Sequence, residues 1–167
     1  MAIATTLLPE FDQEMAGCRR SLERVPTDRF GFRPHPKSFT LGRLANHLAD
    51  VPNWLVQALE STGREFVDPE AAARMPLPAA TTGAVLERFD RAVAAARSAL
   101  AAASDAELEA VWTGHSHGRV VFALPRLAVY RQFIVNHMIH HRAQLTVYLR
   151  LLDLPVPALY GPTADEG

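Results

Sequence analysis

Apolar side chains recur at spacings of three and four along four stretches of the chain, which predicts long helices over about residues 8–24, 41–62, 82–103 and 126–152. The last stretch is the most regular. Tyr130, Phe133, Ile134, His137, His141, Gln144, Leu145, Tyr148 and Leu152 form one stripe, as expected of a helix that faces a core. The second repeats the pattern with Leu44, His47, Leu48, Val51, Leu55 and Leu59. Thr40 is suited to cap its start, and Pro52 predicts a kink or a local reorganisation within it. The third ends in an alanine-rich run, residues 92–103, whose small side chains favour helix and allow a neighbour close. Residues 63–81 carry Pro69, Pro76 and Pro78, a connection long enough to cross the molecule rather than reverse direction. At residues 110–124 the pattern changes to two β-rich pieces around a Gly, Ser and His turn. The expectation is an all-α fold, a four-helix bundle with a long crossover connection and a short β-hairpin before the last helix.

Both regular stripes contain histidine. His137 and His141 are four residues apart, so in a helix their rings lie about 40° apart, one turn removed, and can aim at one point. A helical histidine is more often a surface or hydrogen-bonded core residue, and that reading competes with metal binding on spacing alone. An inward-facing pair, however, loses hydration and needs partners, which a divalent cation on neutral ring nitrogens supplies. A third ligand must come from elsewhere, and His47 offers an inward imidazole on a second helix. His140 is turned about 60° from His137 and 100° from His141, which suits it to a flanking role, as a catalytic candidate that supports the ligands or packs the helix rather than binding metal itself. Asp50, one turn after His47, is the candidate to orient that imidazole or to accept a proton; an ordinary surface carboxylate is the alternative. His115, His117 and His35 fall in turns or proline-flanked loops and are read as solvent-exposed.

Composition narrows the field. With 167 residues and 49% apolar content, the chain reads as one domain, 1–167, with a sizeable core. A net charge of −1 and no basic run leave no footprint for nucleic acid. No signal segment or stretch of about eighteen apolar residues is visible, so the expectation is a soluble cytoplasmic protein without membrane attachment. Cys18 is the single cysteine, which excludes an intrachain disulfide. No Gly-x-Ser-x-Gly elbow or Gly-rich phosphate loop occurs, so a nucleophile must be brought from outside.

The segments 38–49 and Asn136-His137-Met138-Ile139-His140-His141-Arg142-Ala143-Gln144-Leu145, followed by Tyr148-Leu149-Arg150-Leu151-Leu152 and the tail 155–166, carry a resemblance over nearly the whole chain. It resembles the DinB-like family, which includes YfiT-type proteins. The resemblance implies a divalent metal held by three histidines inside a helical bundle, here His47, His137 and His141. Ala143 and Asp153 stand where relatives commonly carry glycine, which touches packing and helix capping rather than the ligands. Three protein ligands leave positions open, as in a catalytic site. Three imidazoles suit zinc, nickel, copper or iron, and the expectation is zinc or nickel, with iron as the alternative. Relatives include thiol-dependent S-transferases and isomerases. The resemblance therefore favours an enzyme acting on a small-molecule electrophile with a low-molecular-weight thiol as cosubstrate, in a chain that forms a homodimer. A hydrolase using water and a non-catalytic, metal-stabilised bundle are the alternatives. Trp54 and Tyr148 are read as core aromatics or pocket walls, and Arg142 as the partner of a carboxylate.

Overall fold

Helix α1 (Ile3–Glu23) starts earlier than the apolar pattern predicts and runs through Pro9. Ala2 contributes no side-chain cap; instead the Asp105 carboxylate, far along the chain, accepts from the Ile3 N–H at 2.6 Å. An anion there offsets the positive helix end. Helix α2 (Leu41–Glu60) begins as expected, with Thr40 Oγ1 accepting from the Arg43 N–H at 3.2 Å. Two more of its free N–H groups, on Leu41 and Gly42, donate to the carbonyls of Phe32 and Phe30 at 2.8 and 2.9 Å. A Cβ at Gly42 would lie 2.7 Å from the Phe30 ring, so glycine is what lets this loop close over the helix start. The helix is not ended by Pro52. The computed structural model describes residues 2–68 and 77–166; Pro69 and Pro76 of the proline-containing connection lie outside the described residues.

Helix α3 (Thr82–Ala102) is capped by Thr81, and the short α4 (Asp105–Glu109) by a reciprocal Ser104–Glu107 capping box. Strands β1 (Gly63–Glu65), β2 (Val111–Ser116) and β3 (Arg119–Pro125) form one sheet in the order β1-β2-β3, parallel then antiparallel. The predicted hairpin is β2–β3. Its turn places His117 and Gly118 at φ 51° and 72°, and both N–H groups donate to the Glu65 carboxylate, at 3.1 and 2.9 Å. The fold is therefore mostly helical with a small three-stranded sheet, and the all-α expectation is corrected by β1, which is too short to show a period.

The last predicted helix is one rod of three parts: α5 (Arg126–Val129), a π-helical turn (Tyr130–Val135) and α6 (Asn136–Leu151). It ends in a Schellman motif, with Leu154 N–H donating to the Leu149 carbonyl and Asp153 N–H to that of Arg150. Asp153 takes the left-handed position at φ 56°, so the departure from glycine keeps the cap at some conformational cost.

Helices α1, α2, α3 and α6 pack on a shared core that includes Phe11, Met15, Leu44, Leu48, Leu55, Phe89, Leu100, Tyr130, Ile134 and Leu145. Ala96 in the alanine-rich run is fully buried, consistent with close helix approach. Arg142, 2% exposed, is turned away from the histidine stripe and pins α6 to α1. It pairs with Glu14 at 2.8 Å and donates to the Glu14 carbonyl and to the Tyr160 hydroxyl, which itself donates to Glu14. That matches the carboxylate partner expected for it. A smaller apolar cluster of Ala58, Trp112 and Val129, with Phe122, Leu124 and Phe133, joins the sheet to the ends of α2 and α5.

Candidate metal centre

Helix α2 supplies His47 and helix α6 supplies His137 and His141, and the three half-buried rings converge. One ring nitrogen from each lies within 4.8 Å of the other two, and among the described residues this is the one group of its kind. His47 Nε2 and His137 Nε2 are 2.8 Å apart. Ring centroids are 4.4 Å apart for His47–His141 and 4.5 Å for His137–His141. Phe39 lies parallel to His141 on one side, at 6.3 Å, and Trp54 packs on His137 and His47 at 5.1 and 5.5 Å on the other. Arg43 covers the Phe39 ring, its guanidinium carbon 3.9 Å from the centroid.

The electrostatics keep these imidazoles neutral. Burial, with His141 and His137 adjacent and Arg43 nearby, pushes His47 down to about 4. Burial and the neighbouring His141 and His140 push His137 down to about 4 as well. His141 is also lowered, by burial first, while its bond to Gln144 opposes the shift. At neutral pH all three lone pairs are available for coordination.

Gln144 fixes one tautomer. Its Oε1 is 2.8 Å from His141 Nδ1, and its Nε2 is 3.1 Å from His140 Nε2. A carbonyl oxygen only accepts, so Nδ1 of His141 carries the proton and Nε2 keeps its lone pair for a metal. Nitrogen ligands on a tetrahedral zinc at about 2.05 Å are on the order of 3.3 Å apart, within the span of these atoms. Three neutral imidazoles, one oriented by an outer hydrogen bond, thus fit a divalent cation.

The other predicted residues have different surroundings. Asp50 is half-buried and its carboxylate accepts from Arg88 Nε on α3 at 2.6 Å; burial raises its pKa and Arg88 opposes that rise. His140 is exposed, with its ring 4.9 Å from that of His141. Tyr148 is a core residue whose hydroxyl donates to the Phe39 carbonyl at 3.1 Å. His115 sits in β2 rather than in the turn, while His117 and His35 are exposed. Cys18 is fully buried and its thiol is pushed up to about 12, chiefly by burial, which makes it inert as a nucleophile. Gln144 and Phe39 were not identified as site residues by their sequence setting. The signal for Gln144 was its spacing, three residues after His141 and four after His140; Phe39 offered none beyond lying just before the cap of α2.

The model of the DinB family matches residues 1–167. Among curated proteins, the uncharacterized protein YrdA of Bacillus subtilis (strain 168) is 36% identical over 63 residues, a match covering 35% of this chain and 37% of that protein's length. Among solved structures, a DinB-like protein from Bacillus cereus ATCC 10987 superposes with a TM-score of 0.71 at 21% identity, covering 95% of this chain and 98% of that one. The DinB-like protein YjoA of Bacillus subtilis gives 0.70 at 14% identity, covering 95% and 99%. At such identities the two structures speak for the fold alone. No described helix is long and apolar enough to cross a membrane.

Proposed function

Because the chain belongs to the DinB family, we propose that it is a divalent-metal-dependent enzyme, a thiol S-transferase acting on a small electrophile, built on a four-helix bundle. The observation that carries this reading is the convergence of His47, His137 and His141, neutral by burial and within coordinating reach of one another. Three ligands from the chain leave room on the ion for a reactant, which a closed structural site does not. Zinc or nickel bound there supplies the Lewis acidity that makes an external thiol nucleophilic near neutral pH. The chain's own residues hold and orient. Gln144 fixes His141, while Phe39 and Trp54 wall the site on two sides and limit water. His140, exposed beside His141, steadies Gln144 by accepting from its amide nitrogen, and the thiol proton passes to solvent as sulfur bonds to the electrophilic carbon and the leaving group departs. Asp50 contributes by anchoring Arg88 at the rim near Trp54. Cys18 is buried, so a thiol reacting at this site comes from outside the chain.

The test is turnover by protein loaded with zinc or nickel, using cysteine or glutathione as thiol and monochlorobimane as electrophile. The wild type should consume both reactants only when loaded, and His137→Ala with His141→Ala should abolish metal binding and turnover together. Turnover that persists in that double variant would remove the histidine site from the mechanism. Loss of stability without any turnover in the loaded wild type would leave a metal-stabilised, non-catalytic helical protein.

A further inference from the structure

Trp54 has two faces at work. One side packs on His47 and His137, and the same residue lines a cavity of about 150 Å³ running away from the histidines toward the sheet. The walls of that cavity are aromatic: Phe66 beside β1, Trp112 and Phe122 from the hairpin, and Phe133 from the π-helical turn. Phe122 and Phe133 stack at 4.8 Å and 15°, and Trp112 is held by its Nε1–H donating to Ser61 Oγ at 3.0 Å. These rings are therefore fixed rather than merely adjacent. The π-helical turn matters because its wider winding sets Phe133 and Ile134 on the cavity while His137, just beyond, faces the other histidines.

The volume sets the size of the occupant. About 150 Å³ of mostly apolar space, with Gln57 and Arg64 as its polar lining, is room for one benzene-sized ring. Charge sets the rest. Arg64 lines the same cavity, and its recorded side-chain bond is to the neutral Gln57 Oε1, at 2.5 Å; among the described residues no carboxylate forms an ion pair with it. A guanidinium beside an aromatic box repels an ammonium group, which the rings alone would welcome, and attracts a carboxylate.

We propose that this cavity is the specificity pocket for the electrophile, taking a compound with one six-membered ring or a branched apolar group of that size and a carboxylate that Arg64 engages. The proposal rests on the enzymatic reading above for its link to catalysis, whereas the binding site itself does not need the metal.

Binding is therefore measured first on the full chain after chelation, following tryptophan fluorescence as phenylacetate is added, with benzylamine and acetate as matched probes. Phenylacetate should quench saturably and bind at least tenfold tighter than either. Arg64→Gln, a change at a partly exposed strand position, should remove the preference over benzylamine while leaving the circular dichroism unchanged. Val129→Phe, which fills the cavity, should abolish binding of all three, and if it does not fold, Arg64→Gln alone decides. Equal binding of phenylacetate and benzylamine by the wild type, or a preference unchanged in Arg64→Gln, overturns the proposal. So does turnover by loaded enzyme that ring-bearing carboxylates neither compete with nor enhance as substrates. Phenylacetate binding with no turnover on any electrophile upholds the pocket and sinks the S-transferase reading, so the two claims fail separately.

Discussion

Replacing Gln144 by alanine isolates the orienting bond from everything else at the site. The amide oxygen accepts from His141 Nδ1 at 2.8 Å, and the side chain is exposed, so removing it opens no cavity and leaves no buried group unpaired. Global stability should change by less than about 0.5 kcal/mol. Loss of such an outer partner typically lowers metal affinity about 10–100-fold. Exposure decides where in that range the effect falls: water can take over the lost acceptor position, so the expected loss is near the lower end, about tenfold, or roughly 1.4 kcal/mol. Gln144→Glu keeps an acceptor and adds negative charge beside the imidazole, so it should bind metal at least as tightly as the wild type. Competition with a chromophoric chelator measures both, with urea unfolding as the control for stability. An affinity unchanged in Gln144→Ala, or lowered equally in Gln144→Glu, would refute the assignment of His141 Nε2 as the coordinating atom.

Other consequences follow from named contacts. Glu14→Leu leaves Arg142 buried without its counter-charge, and urea unfolding should show a loss of about 3–5 kcal/mol. The double variant Glu14→Leu with Arg142→Met should recover part of that loss, and equal destabilisation of single and double variants would contradict the pairing. In metal-free protein, His47 and His137 titrate near 4 when folded against 6.5 when unfolded. The unfolded chain therefore binds more protons throughout that window, so stability rises with pH from about 4 to 6.5 and is lost on acidification. Thermal midpoints of chelated protein across pH 4–7 should show this slope, and His47→Gln with His137→Gln should flatten it; an undiminished slope in the variant would assign it to other groups.

Much of this was legible in the chain because burial imposes period. The start of α2 was readable from Thr40, and the hairpin from its Gly and His turn. The histidines stood out because they interrupt apolar stripes at positions that must face inward. What escaped detection depends on residues distant in sequence or on segments too short to carry a pattern. The early start of α1 is capped by Asp105, and β1 exists because three residues lie beside β2. The π-helical turn is hidden because Tyr130, Phe133, Ile134 and His137 keep spacings of three and four whichever way the turn is wound. Asp50 was read for its nearness to His47 in sequence, while its partner, Arg88, comes from another helix.

Metal content per chain tests the central claim most directly, on protein purified without a metal-binding tag, in wild type, His47→Ala and His137→Ala. The account predicts close to one divalent ion per wild-type chain and its loss in both variants. A wild type that takes up no metal even after reconstitution, or variants that retain it in full, would contradict it.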